Sequence, residues 1–436
     1  MKCSLFLPLL LLLASFPAFA SVYEEVTDDP RRSGGIYYAY PVESDTAPSP
    51  PEGYEPVFIS HYGRHGSRWA IKEWKYTMVL NIFAAQRRNG NLTPAGERVE
   101  KMVQSLWDDA QGNAGALTPL GERQHKAIAS RLADRYPALF ADSMAVRAYS
   151  STEPRCIVSM AAFCERLKEM KPSLEIIRTV SPGNMDFIAY STPEAKALGS
   201  DTASWRPRFN EWCDTLLHPA RIMSELFVNP SEVDDHSQLM WLLHDIAVAE
   251  QNTTVRTGIL GIFTPGERFA LWRRLNGEMY IKHANATLSG GIGPRSAVSL
   301  LKHIIDDADR QLASNHPGVT LRFGHDTNLI RLLALMQVEE CADSESSLEK
   351  FHLAWQDYRV SPMGANLQLI FFRNTAGHTL VLLRHNERPA ALPLSPHPGT
   401  THLYPWAALR AYLLSRLNNP DNEPPNRVVK YSRIGQ

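Results

Sequence analysis

The chain has no surplus of charge of either sign. Its 45 Lys and Arg nearly match 46 Asp and Glu, leaving a formal net charge of −1. No basic field is present to draw it to nucleic acid, so any anion site must be a local cluster of arginines. Long apolar runs are also missing, and none reaches the roughly 18 uninterrupted apolar residues of a membrane-spanning helix. Cysteine is scarce, with 5 in 436 residues, and no Cys or His spacing resembles a zinc site. The Gly-x-Ser-x-Gly turn of serine hydrolases does not occur. These gaps remove nucleic-acid partners, an integral membrane segment, zinc chemistry and serine hydrolysis from the expected functions.

What is there begins with Lys2, an apolar run from Leu5 to Leu13, and Ala18-Phe19-Ala20 before Ser21. This predicts a cleaved secretory signal peptide over residues 1–20 and a periplasmic or secreted, soluble protein. An oxidising compartment permits disulfides. Cys156, Cys164, Cys213 and Cys341 are equally readable as buried free thiols. Cys156 and Cys164 lie eight apart on an expected helix, roughly 12 Å at 1.5 Å per residue, too far to bridge each other.

Residues 21–55 read as a polar N-terminal arm, extended rather than folded, ending in Ala47-Pro48-Ser49-Pro50-Pro51-Glu52-Gly53. From Pro56 onward, short apolar runs alternate with helical stretches. Thr93-Pro94, Thr118-Pro119 and Thr264-Pro265 each offer a threonine N-cap with proline at the first helical position. Strands are predicted at Val57–Ser60, Val146–Ser150, Leu174–Val180 and Val319–Phe323. A late hairpin is predicted from Leu367–Phe372 and Thr379–Leu383. The fold expected is α/β: a three-layer sandwich with a central, mostly parallel sheet plus a smaller helical cap. The core is assigned to residues 56–155 and 286–436, and the mainly helical cap to an insertion at 156–285.

The chemistry concentrates at three predicted strand ends, where open α/β sheets bind ligands. The first carries Arg64-His65-Gly66-Ser67-Arg68. Two guanidiniums can fork onto phosphate oxygens while the histidine between them attacks phosphorus. Gly66 is expected to clear space for a ligand. The second end, Tyr149-Ser150-Ser151-Thr152-Glu153-Pro154-Arg155, places Arg155 in the first turn of a helix, where backbone N–H groups also favour an anion. The third, Phe323-Gly324-His325-Asp326-Thr327-Asn328, offers a His-Asp pair. Taken singly, these are also a surface turn, a surface ion pair and a helix cap.

Together and in this order they resemble the histidine acid phosphatases, branch 2 of the histidine phosphatase superfamily. That family pairs an Arg-His-Gly signature with an arginine after a Ser/Thr-rich strand end and a late His-Asp or His-Ala-Glu. Leu117-Thr118-Pro119-Leu120-Gly121-Glu122-Arg123-Gln124 is similar to a further family segment. The resemblance implies that His65 is the nucleophile, and that Arg64, Arg68, Arg155 and His325 bind the phosphoryl oxygens. It implies that Asp326 donates a proton to the leaving group, with no metal or cofactor required. The attacking nitrogen of His65 must be unprotonated, and the Gly63 carbonyl is a candidate acceptor for the other. Lys72, Lys75 and Thr327 are candidate contacts to the rest of the substrate, although exposed lysines at a turn have a plainer role as solvated charges.

Within the family, His-Asp-Thr-Asn resembles bacterial phytases and glucose-1-phosphatases. Phe263–Trp272 and Pro405-Trp406 instead resemble the multiple inositol polyphosphate phosphatases, although the cysteine pairs usual near that Pro-Trp are missing. The expected activity is hydrolysis of a small-molecule phosphomonoester, phytate or another inositol polyphosphate, through a phosphohistidine. Glucose 1-phosphate or other sugar phosphates are the alternative substrates. A non-catalytic phosphate-ester binding protein is the rival of another class, disfavoured because His65 and Asp326 are both present. Oligomeric state is not legible.

Overall fold

Among the described residues, eight strands form one sheet. They are β1 (Tyr54–Arg64), β2 (Ala145–Ser150), β3 (Glu175–Val180) and β4 (Gly318–Gly324), then β5 (Asn366–Asn374), β6 (Thr379–His385), β7 (Arg388–Pro389) and β8 (Leu403–Pro405). The structure, a computed structural model, describes residues 21–41, 48–141, 144–314 and 316–418. The signal peptide expected at 1–20 lies outside the described residues, as does Ala47.

The strand order is β3-β2-β4-β1-β5-β6-β7, with β8 on β6. β1 to β4 run parallel and β6 shares their direction, while β5, β7 and β8 oppose them. The sheet is therefore mostly parallel, as predicted. Alternating side chains feed two layers, as a strand's two-residue period requires. Phe58, Tyr62, Leu367, Leu369 and Phe371 enter one core, together with helices Val298–Ala313, Asp326–Met336 and Trp406–Asn418. Ile59, Val146, Val319, Leu321, Phe323 and Ile370 enter the opposite core, with helices Pro119–Arg135 and Pro154–Met170. The three threonine caps form as expected: Thr93, Thr118 and Thr264 each accept from a backbone N–H in the first turn of their helix.

The helical cluster is put together differently from the predicted insertion at 156–285. Helix Pro154–Met170 packs on the sheet, and β3 pairs with β2, so the first part of that span belongs to the sandwich. Helices Trp74–Arg88 and Pro94–Ala110 instead pack against residues between Leu217 and Leu271. The cause is apolar burial between distant stretches: Val79, Phe83, Val103, Ile222, Leu226, Leu242 and Ile246 share one interior.

The arm expected to be extended is helical over its first half. Ser21 and Glu24 form a capping box that starts helix Val22–Asp28, and a 3₁₀ segment follows at Pro30–Tyr37. Ser33, Gly34 and Gly35 are buried there. β1 also runs past Ser60 to Arg64, because His61 and Tyr62, polar by composition, are buried in a central strand. All four described cysteines are buried and free.

Candidate active site

Register brings the three predicted strand ends to one level. On neighbouring strands Arg64 of β1 lies opposite Gly324 of β4, and Phe323 of β4 lies opposite Ser150 of β2. The residues that follow, His65, Ser151 and His325, therefore leave the sheet side by side. The rings of His65 and His325 sit edge to face with centroids 5.8 Å apart, and Nε2 of His325 is 3.3 Å from Oγ of Ser151. Helices Pro154–Met170 and Asp326–Met336 both begin here, and neither N-cap residue, Glu153 or His325, caps its helix with its side chain. Helix starts turned toward one place suit an anion.

His65 is buried, and its Nδ1 lies 2.9 Å from the carbonyl of Gly66. A carbonyl only accepts, so Nδ1 carries the proton and the lone pair of the neutral ring is on Nε2. The acceptor is Gly66, not the Gly63 carbonyl considered from sequence. Burial first, then the charges of Arg64 and Arg68, hold the His65 pKa well below the usual histidine value. The ring is thus kept unprotonated, as a nucleophile must be.

Arg64 is fully buried. Its Nη1 donates to the carbonyls of Ile36 and Ser361, at 2.6 Å each, and its Nη2 lies 3.0 Å from Oδ2 of Asp326. Burial lowers its pKa to about 10 against the pull of Asp326, which still leaves it charged. Arg68 donates to the Trp69 carbonyl at 3.0 Å and lies 5.0 Å from the ring centroid of Tyr37. Arg155 pairs with Glu153 at 3.0 Å, and its charge acts on both Arg64 and His325. Burial pushes His325 down to about 4. Burial alone would raise the Asp326 carboxyl, but nearby positive charge, above all that of Arg64, holds it below the ordinary carboxylate range. Asp326 is the first residue of its helix; His325 occupies the cap position.

The structure thus gathers Arg64, His65, Arg68, Arg155, His325 and Asp326. Thr327 adjoins them, and its N–H donates to Oδ1 of Asp326 at 2.8 Å. Lys72 is exposed. Lys75 departs from expectation: it pairs with Asp245 and lies 4.6 Å from the Trp241 ring centroid, so its charge is already matched. Gly66 also has a different task. A Cβ there would meet the Gly121 carbonyl oxygen at 2.6 Å, so glycine is needed for two backbones to touch rather than for a ligand to enter.

Several supporting residues carry no motif. Ser67 N–H donates to Gln124 at 2.8 Å, and Ser67 Oγ donates to Asn252 at 2.7 Å. Asn252 in turn donates to the Tyr37 carbonyl at 2.8 Å. Gly66 N–H donates to Ser159 at 3.1 Å. Of the three partners that hold Gly66 and Ser67, which are Gln124, Asn252 and Ser159, Gln124 alone had a sequence signal, as the last residue of the Leu-Thr-x-x-Gly-x-x-Gln segment.

A neutral histidine framed by arginines at the ends of parallel strands defines a phosphomonoester hydrolase of the histidine acid phosphatase class. The sequence pattern described as histidine phosphatase superfamily (branch 2) matches residues 63–386. The chain belongs to that family. It is similar to multiple inositol polyphosphate phosphatase 1 of Gallus gallus, 25% identical over 313 residues, covering 67% of each chain. In fold it is similar to the Bifidobacterium longum multiple inositol polyphosphate phosphatase solved with inositol hexasulfate. That match has a TM-score of 0.73 at 14% identity and covers 88% of this chain and 97% of that one. The phytase from D. castellii superposes with a TM-score of 0.67 at 15% identity, over 89% of this chain and 85% of that one.

Proposed function

We propose that the protein is an exported acid phosphatase that removes phosphate from inositol polyphosphates such as phytate through a phosphohistidine. One observation carries this reading: His65 is held neutral, with Nδ1 on the Gly66 carbonyl, inside a ring of arginines. Nε2 attacks phosphorus as the bond to the ester oxygen breaks, and Asp326 passes a proton to that oxygen. Arg64, Arg68 and Arg155 offset the charge on the transferring group. In the free site Asp326 is ionised; an arriving phosphate cancels part of the arginine charge and raises its pKa, so that it can hold the proton. Water then attacks the phosphohistidine and returns a proton to Asp326, the N–P bond breaks, and orthophosphate leaves.

Inositol polyphosphates are favoured by the Gallus gallus relative, whose name states that substrate class. Export rests on the signal-peptide pattern of residues 1–20. The test is phosphate release from phytate, glucose 1-phosphate and p-nitrophenyl phosphate by the purified protein. Phytate should give the highest kcat/KM. A preference for glucose 1-phosphate would move the substrate assignment, and phosphate binding without release from any ester would make the chain a binding protein.

A further inference from the structure

Behind the reacting groups lies a buried carboxyl group, its pKa pushed up to about 7 by burial, that the transfer itself does not touch. Asp357 is completely buried. Its oxygens accept from Trp272 Nε1 at 2.9 Å and from the N–H of Ile36 at 3.2 Å. Its own N–H donates to Asn276 at 2.8 Å, and its carbonyl accepts from the N–H of Ser361 at 2.9 Å. Ile36 and Ser361 are the two residues whose carbonyls receive Arg64 Nη1. Gly35, at a φ of 56°, lies against the same carboxyl group, and a Cβ there would collide with it.

We propose that Asp357 is a positioning residue for phosphoryl transfer, setting the pose of Arg64 through the Ile36 and Ser361 carbonyls and so aiming Asp326. A guanidinium is a rigid plane, so two acceptors on one nitrogen orient the other two. Here the others are Nη2, which faces Asp326 at ion-pair distance, and Nε; among the described residues neither is hydrogen-bonded. A shift in either carbonyl is passed to both, and displacements near 1 Å are enough to cost roughly 10²-fold in rate. Two stretches of chain far from the signature, around residues 36 and 361, thereby enter the site through one carboxyl group.

The inference rests on Arg64 and Asp326 having the roles proposed above. The test compares Asp357→Asn, Trp272→Phe and Arg64→Lys with wild type for kcat and KM on phytate and p-nitrophenyl phosphate, and for melting temperature. Asparagine keeps the shape but turns an N–H₂ toward a donor, and Trp272→Phe removes only the indole donor. Asp357→Asn should lower kcat on both substrates, at least 10-fold on phytate, which loses proton delivery as well as charge stabilisation, and less on p-nitrophenyl phosphate, which loses only the latter. Trp272→Phe should show the same split more weakly, and it decides the matter if Asp357→Asn does not fold. A fall in melting temperature with equal or no loss on both substrates would overturn the proposal. If Arg64→Lys behaves like wild type, the assignment of the site fails and takes this inference with it.

Discussion

Arg64 and Asp326 face each other at 3.0 Å across the ends of adjacent parallel strands, the arginine fully buried and the aspartate at the mouth of a helix. In the mechanism proposed above, the pair joins two tasks that are separable in principle, holding the phosphate and delivering a proton. Its ion pair keeps the acid ionised until an anion competes for the same guanidinium.

That relationship sets the first prediction. Asp326→Asn should still form phosphohistidine from p-nitrophenyl phosphate, whose leaving group needs little proton help. On phytate, which leaves as a strongly basic alkoxide, the rate should drop about 10²-fold or more. Steady-state rates on both substrates measure this, and equal small losses would reduce Asp326 to a structural residue.

A second prediction concerns the nucleophile. His65→Ala should abolish turnover together with acid-labile ³²P labelling in a quenched reaction. Labelling that survives in the variant would place the attacking group elsewhere.

Gly66→Ala should act on stability rather than on substrate entry. The added methyl meets the Gly121 backbone at 2.6 to 2.9 Å, and such overpacking costs about 1–3 kcal/mol. A lower melting temperature with KM unchanged in the folded fraction is expected. The reverse pattern, normal melting with raised KM, would restore the role in ligand access.

The last prediction is a pH dependence. His61 is buried, neither of its ring nitrogens has a hydrogen-bond partner among the described residues, and its pKa is lowered to about 3 by burial, then by His125 and Arg322. Between about 6.5 and 3 the unfolded chain binds a proton that the folded chain refuses, so stability falls as pH drops through that window. His61→Leu should make the decline in melting temperature from pH 7 to pH 4 shallower. It should not be flat, since His125, lowered to about 4, remains. An unchanged slope would show that His61 does not titrate in this way.

The parts of this molecule legible in its sequence are those written locally. Thr118 and Pro119 announce a helix whatever surrounds them, and Arg64 to Arg68 are contiguous, so both were readable. The site needed only that three strand ends be level, which parallel pairing supplies. Backbone acceptors are another matter: the Ile36 and Ser361 carbonyls that seat Arg64 have no side-chain signature. His61 and Tyr62 hid the length of β1, because a polar residue inside a central strand breaks the expected apolar pattern. The helical cluster was misplaced because Phe83 and Ile246 meet only after a long excursion of chain. The capping pair Ser21 and Glu24 did offer a signal for the first helix, within a stretch otherwise dominated by turn residues.

The seat of Arg64 has a consequence for how the protein comes into being. Its two carbonyls lie 28 residues before and 297 residues after it in the chain. A chain made from its N-terminus cannot complete the seat of Arg64 until residue 361 has emerged, since the contact with Ser361 closes one of the longest loops in the molecule. Partly made or truncated chains would therefore carry the whole Arg64 to Arg68 signature and remain inert. Catalytic competence thus arrives late, as a report that the stretches around residues 36 and 361 have both reached their places.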